Sequence, residues 1–143
     1  MLDFTRRLIA LRAEHPVFRR RGFFTGASDE AGLPDIAWLR IDGEPMGADD
    51  WDRAEVRALA VLFNGAAIAE PGPRGEEIED DTFWLLMNPG AGLVEFAVPQ
   101  LGAPASWVRV LDTGADPVWV TDDEPVKPGV PLLPHALALL RRA

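Results

Sequence analysis

The chain has 143 residues, a formal net charge of −9 at pH 7 and no cysteine. This length accommodates one domain with its own core, whereas a (β/α)8 barrel needs about 250 residues. The acidic balance argues against nucleic acid and an anionic membrane surface as partners, since both require a basic face. Without cysteine the chain has neither disulfides nor a thiolate zinc site. With no long apolar span and no signal-type start, the sequence predicts a cytoplasmic protein.

The chain begins with its one clear helix, which apolar spacing predicts over residues 3–14. The helix carries an apolar stripe whose members are Leu2, Phe4, Leu8, Ile9 and Leu11. Pro16 ends it, because the residue before a proline avoids the helical conformation. Three consecutive arginines follow at residues 19–21.

The stretch from Asp35 to Asp52 combines a strand, a turn and an acidic segment that bears a tryptophan. Residues 36–41 are mostly apolar and compatible with a strand, and Asp42-Gly43 then predicts a turn. Residues 47–51 carry two carboxylates early in a predicted helical turn, where the helix dipole favours them. A second apolar strand is predicted over residues 59–63.

Short apolar runs alternate with turn signals through the rest of the chain, at residues 82–87, 93–98, 107–111, 118–120 and 136–140. Such spacing is typical of a β-sandwich or a barrel. Propensity alone would make the last run a helix. Because Pro128, Pro131 and Pro134 precede it, we predict a strand there.

These features resemble bacterial glycogen debranching enzymes of the isoamylase type, in the α-amylase superfamily, around the end of their catalytic barrel. The central motif matches at Asp35, Ile36, Trp38, Asp42, Gly43, Met46, Asp50, Trp51, Asp52, Leu59, Val61, Asn64 and Gly65. The passage from the last barrel helix matches at Arg7, Leu8, Ile9, Ala10, Leu11, Arg12, Glu14, His15, Pro16, Val17, Phe18, Arg19, Arg20, Arg21, Phe23 and Phe24. A later loop matches at Arg74, Gly75, Ile78, Asp80, Asp81 and Phe83.

The chain departs from the family's pattern at one position and in one short segment. Ala136 stands where a serine is usual in the last strand, and Asn88-Pro89-Gly90-Ala91 replaces a segment in which the family often has two histidines. Any role of those histidines is therefore not carried over to this chain.

The resemblance implies an all-β fold, namely an antiparallel β-sandwich of the α-amylase C-terminal type preceded by one N-terminal helix. Residues 1–20 would be the last barrel helix and its connector, and residues 21–143 the sandwich domain. The chain would then be either a fragment that starts at the final barrel helix or a truncated gene product. Its expected partner is the catalytic barrel of the parent enzyme.

Acidic side chains form three clusters, all in loops bordered by glycine or proline: Asp49, Asp50 and Asp52; Glu76, Glu77, Glu79, Asp80 and Asp81; Asp122, Asp123 and Glu124. We interpret them as solvated surfaces, because clustered loop acids usually are. The family's catalytic carboxylates lie upstream in the barrel, so we expect no catalytic residue. No calcium-loop pattern is present, and His15 and His135 stand apart. We therefore expect neither a metal site nor a cofactor.

Five tryptophans offer the remaining chemistry, because exposed aromatic rings stack on sugars. Trp84 and Trp107 lie in predicted strands and are expected in the core. Trp51 and Trp119 adjoin acidic loops and are the candidate carbohydrate-binding residues. Trp51 is also expected to pack near the strand that contains Trp38 and to anchor its loop.

The leading hypothesis is a non-catalytic accessory domain of a glycogen debranching enzyme whose parent hydrolyses α-1,6 branches. The alternative is a module that binds glycogen or maltodextrin through Trp51 or Trp119, and a third is a hydrolase that uses the loop acids. We further expect the stripe on the N-terminal helix to seek a partner, because each large apolar side chain left in water forgoes about 1.5–3 kcal/mol. Of folding back, pairing with a second copy and fraying, we favour pairing.

Overall fold

The structure is a computed structural model that describes residues 1–102, 104–121 and 123–143, so Asp122 of the third acidic cluster lies outside it. The described elements are the helices α1 (Leu2–Glu14) and α2 (Ala48–Trp51) and the strands β1 (Ile36–Leu39), β2 (Leu59–Phe63), β3 (Phe83–Asn88), β4 (Val94–Ala97), β5 (Trp107–Asp112), β6 (Gly129–Leu132) and β7 (Ala136–Arg142). Short 3-10 turns occupy Pro16–Phe18 and Gly65–Ala67. Neither described helix has the length and apolar character that a membrane span requires.

The strands form two antiparallel sheets. A five-stranded sheet has the order β1-β2-β3-β7-β5, and β4 pairs with β6 in a two-stranded sheet. The prediction of an all-β, sandwich-like fold with one N-terminal helix is confirmed.

The main core lies between the two sheets. Side chains alternate across each strand, so one face of the large sheet meets Phe96 of β4 and Val130 of β6. Trp84 and Trp107 are buried there with ring centroids 5.6 Å apart, which confirms their predicted place. We call this side of the five-stranded sheet the inner face and the opposite side the outer face.

β7 confirms the prediction of a strand over residues 136–140. It pairs with β3 on one side and β5 on the other, so it lies inside the sheet. Ala138 and Leu140 are buried on the inner face, and Leu139 on the outer face. Burial on both faces decides the conformation here against the helical propensity of alanine and leucine.

The sequence analysis did not predict β6, because Pro131 lies within it. β6 pairs with β4 alone among the described strands, and Pro131 is exposed. Proline is compatible with an edge strand, where one row of backbone N–H groups has no ladder to join. β1 is also shorter than predicted and ends at Leu39.

Candidate functional site

Helix α1 lies against the outer face of the five-stranded sheet through two apolar side chains. Leu11 packs on the cluster that contains Phe83 and Leu139, and the Phe4 ring centroid lies 5.9 Å from that of Trp119. No residue of α1 is buried, and Leu2 and Ile9 are each 64% exposed. The helix thus folds back on its own sandwich, an outcome that the sequence analysis did not favour, and part of its apolar stripe stays open.

The segment that joins α1 to the sandwich, residues 15–22, is fixed to it by hydrogen bonds. We call this segment the connector. His15 Nδ1 lies 2.8 Å from Asp80 Oδ1, and the backbone N–H of Val17 donates to Asp80 Oδ2 at 2.9 Å. Val17 itself is buried on the outer face, and the Asp80 side chain is only 7% exposed. Asp80 therefore fixes the point at which helix becomes connector.

Two further carboxylates hold the second half of the connector. Asp35 is buried and accepts hydrogen bonds from the Arg20 guanidinium at 3.2 Å and from the backbone N–H groups of Thr25 and Gly26. Arg20 also lies over the Phe24 ring, 4.5 Å from its centroid. A desolvated charge pair of this kind is costly to break, because the remaining partner stays buried.

Glu70 accepts from the backbone N–H groups of Arg21 and Gly22 at 2.9 and 2.6 Å. These two backbone hydrogen bonds are the main reason why the pKa of Glu70 lies below its ordinary value.

The interpretation of the loop acids as solvated surfaces is wrong for Asp80 and Asp50, because their carboxylates are largely buried and hydrogen-bonded.

Among the described residues, one set of side chains has the composition of a cation site. His15, Asp80 and Asp81 each place a ligand-type atom within 4.8 Å of the others. These atoms already have protein partners, because Asp80 binds His15 and the N–H groups of Val17 and Asp81, while Asp81 lies 3.5 Å from Arg141. The arrangement fits a structural link between connector and sandwich.

Trp51 forms an exposed aromatic pair with Trp38. The ring centroids lie 5.5 Å apart at an interplanar angle of 74°, and Trp51 and Trp38 are 53% and 42% exposed. The prediction that Trp51 packs near the motif strand is confirmed, since Trp38 belongs to β1.

The loop that carries Trp51 is fixed at its start by Asp50. Gly47 N–H donates to Asp50 Oδ2 at 2.8 Å, and Arg40 approaches the same oxygen at 3.4 Å. The hydrogen bond from Gly47 is the largest contribution to an Asp50 pKa below the ordinary value. Asp50 thus stays ionised and holds the short helix α2 in place.

Trp119 is not free, contrary to the exposure expected of it. It is half-buried beside Leu111, and Phe4 and Arg7 of α1 lie over it, with the Arg7 guanidinium carbon 5.8 Å from the ring centroid. The two candidate carbohydrate residues are therefore not equivalent, because Trp51 offers open ring surface while α1 covers Trp119.

Sequence reasoning identified neither the connector contacts nor Trp38 as half of an exposed pair. The sequence did identify the residues, since Asp35, Trp38 and Asp80 all lie in the matched motifs. It could not identify their contact partners, because residues such as His15 and Asp80 are 65 positions apart. The alternation of β1 could have indicated that Trp38 points away from the inner core.

Comparisons with known proteins give matches over most of the chain. Residues 35–128 match the family model described as "Isoamylase, C-terminal". The chain is 44% identical over 120 residues to proteins named "Glycogen operon protein GlgX homolog" from Mycobacterium tuberculosis (strain ATCC 25618 / H37Rv) and Mycobacterium bovis, which covers 82% of this chain and 16% of each relative. It is 30% identical over 112 residues to an "Isoamylase" of Flavobacterium sp, covering 77% of this chain and 13% of that protein. The chain, which spans about a sixth or less of these relatives, belongs to the isoamylase C-terminal domain family.

Proposed function

We propose that the chain is the non-catalytic C-terminal domain of a glycogen debranching enzyme and that it covers and braces a catalytic barrel. The parent would be a glycoside hydrolase that cleaves α-1,6 branches of glycogen or limit dextrin in the cytoplasm. The printed names of the relatives, a glycogen operon protein and an isoamylase, support this parent activity.

One observation carries the bracing role, namely the anchored connector. Helix α1 meets the sandwich through few side chains, whereas the eight residues after it are held by Asp35, Glu70 and Asp80. A helix that belongs to a neighbouring domain needs a stiff joint if the two domains are to keep a fixed orientation. Three carboxylates that accept backbone and guanidinium hydrogen bonds supply such a joint.

The chemistry of the carboxylates supports the non-catalytic part of the proposal. Glycoside hydrolysis uses paired carboxylates, one of them a general acid with a raised pKa in a shielded site. The described carboxyl groups with a displaced pKa are Asp29, Asp42, Asp50 and Glu70, and in each the pKa is lowered by hydrogen bonds. A lowered pKa keeps a carboxylate ionised and unable to donate a proton at neutral pH.

The test uses a chimera. The segment of the M. tuberculosis relative that matches this chain is replaced by this chain, and release of reducing ends from branched limit dextrin is measured. We expect activity from the chimera and none from the chain alone above a boiled control. Reducing ends released by the chain alone, or a chimera that is insoluble or inactive while the unmodified relative is active, would contradict the proposal.

A second function is favoured by the exposed Trp38–Trp51 pair, namely binding of glycogen or maltodextrin to this domain. An open indole ring provides a stacking surface for a glucose unit, and the polar side chains of Arg40 and Asp42 lie on the adjoining turn. In affinity gel electrophoresis with glycogen, Trp51→Ala should abolish any retardation. Phe23→Ala, which removes a fully exposed ring elsewhere, is the matched control. Equal mobility of all three proteins with and without glycogen would exclude this function.

A further inference from the structure

The five-stranded sheet is apolar on both faces. The strand register places ten apolar side chains on the outer face, namely Ile36, Trp38, Leu59, Val61, Phe63, Phe83, Leu85, Met87, Leu137 and Leu139. The charged side chain of Arg141 lies on the same face beside Phe83, at the end opposite to Leu137. An antiparallel sheet with one solvated face would alternate apolar and polar side chains. This composition is typical of a sheet that is buried on both faces, whereas the two-stranded sheet packs on the inner face alone.

The outer face is covered at one end and open at the other. Val17 and Phe18 of the connector, with Leu11 of α1, lie on Phe63, Phe83 and Leu139. At the opposite end, Leu59 and Met87 are half-buried and Leu137 is 39% exposed.

These three side chains belong to adjacent strands, because Leu59 pairs with Met87 and Met87 with Leu137. They line a shallow groove of about 480 Å³ whose rim includes Arg57 and His135. We call this groove the open end of the outer face.

Continuity with α1 indicates what covers the open end. Helix α1 lies on the same outer face and itself exposes Leu2 and Ile9. The relatives have more than four-fifths of their length outside the matched segment. A domain that contacts α1 therefore meets the same side of the sandwich, and its covalent connection raises its effective concentration there.

We propose that the open end of the outer face, formed by Leu59, Met87 and Leu137, is the docking surface for the catalytic domain of the longer protein. The proposal rests on the function proposed above and adds the surface and its anchoring residues. Docking completes the second apolar layer of the sheet, with α1 and the connector at one end and the catalytic domain at the other.

Two other occupants fit the groove less well. An α-glucan needs an aromatic stacking surface beside polar groups that bond its hydroxyls, and neither a tryptophan nor a phenylalanine is among the described residues that line this groove. A second copy of the chain would meet the same face of its partner by two-fold symmetry. α1 occupies part of that face in both copies, which limits close sheet-to-sheet contact.

The experiment compares Leu137→Glu with Leu93→Glu in two contexts, the isolated chain and the chimera with the M. tuberculosis relative. Leu93 is exposed in the turn between β3 and β4 and is not among the residues that line the groove, so it is the matched control. In the chimera, Leu137→Glu should lower the first thermal transition by about 5 °C or more and Leu93→Glu should leave it unchanged. In the isolated chain the two variants should unfold at similar temperatures, because Leu137 is already open to solvent.

Each other outcome identifies a different error. An active, stable chimera that is indifferent to Leu137→Glu overturns the docking surface and leaves the proposed function standing, whereas an inactive unmodified chimera counts against the proposed function. A dimer of the isolated chain that Leu137→Glu dissociates assigns the open end to a second copy. Loss of glycogen retardation in Leu137→Glu assigns it to an α-glucan. Met87→Glu serves as a second variant if Leu137→Glu fails to fold.

Discussion

At the scale of single residues, Asp80 carries more of the architecture than its sequence context indicates. It lies in a run of acidic residues that is typical of a solvated loop, yet its carboxylate is hydrogen-bonded to His15 and Val17. Hydrogen bonds to a carboxylate group are stronger than those between neutral groups. Asp80 therefore connects the segment after α1 to the start of β3.

We predict that Asp80→Ala lowers the free energy of unfolding by about 2–4 kcal/mol, because the Val17 N–H and the His15 ring lose their acceptor in a largely buried site. Asp123→Ala should change it by less than about 1 kcal/mol, since the Asp123 side chain is 85% exposed and its contact with Arg141 is a surface pair. Urea unfolding followed by tryptophan fluorescence measures both. Equal unfolding midpoints for the two variants would contradict the anchoring role of Asp80.

At the scale of elements, α1 is held to the rest of the described chain by few contacts. It is 13 residues long and buries none of them, and an isolated helix of this length is marginal in water. Its contacts with the sandwich come from Phe4, Arg7 and Leu11. The remaining exposed apolar side chains give the isolated chain a surface for self-association, which we propose occurs through α1.

Ile9→Glu should shift the isolated chain toward the monomer, because it places a charge in the exposed stripe without touching the sandwich. Sedimentation velocity across a concentration series measures the shift. Arg6→Gln, also at an exposed position on α1, makes the net charge more negative by the same one unit and controls for that change. A chain that is monomeric at every concentration, or that responds equally to both variants, would be evidence against association through the stripe.

The elements also show where sequence reasoning succeeds and where it stops. Periodicity located α1, β2 and β5, because apolar spacing reports burial directly. It missed β6, because Pro131 is compatible with a strand only where one edge is free, and a free edge is a property of the assembled sheet. The connector contacts were invisible for a similar reason, since a carboxylate shows no partner in sequence when that partner lies 65 positions away.

At the scale of the whole molecule, a fall in pH lowers the stability of the fold, because several carboxyl groups have a lower pKa in the folded chain than in the unfolded one. The pKa of Asp29 is lowered chiefly by the Asn64 side chain, that of Asp50 by Gly47 N–H, and that of Glu70 by the N–H groups of Arg21 and Gly22. In the unfolded chain such groups titrate near 3.8 for Asp and 4.5 for Glu. The unfolded state therefore binds more protons on acidification, and the fold loses stability in that range.

We predict a melting temperature that is constant near neutral pH and falls from about pH 5 downward, as the pH passes the unfolded values and then the lowered folded ones. Glu70→Gln should melt lower than the native chain at pH 7, and this difference should shrink as the pH falls below 4.5, because Glu70 is then protonated in the unfolded chain and the native chain loses stability. Glu77→Gln, an exposed residue of the same loop, should follow the native curve. A Glu70→Gln deficit that persists unchanged at pH 3 would refute the role of its ionised form.

The position of β7 inside the sheet governs the order in which the domain can be made. A ribosome releases residues from the amino end first, so β3 emerges while its neighbour, residues 136–142, is still to be added. Until then β3 and β5 each expose an unpaired edge, the condition in which nascent strands join the wrong partner. Synthesis that stops before Ala136 should thus leave the three strands β1-β2-β3 separate from the single strand β5, whereas the finished domain joins all four in the five-stranded sheet.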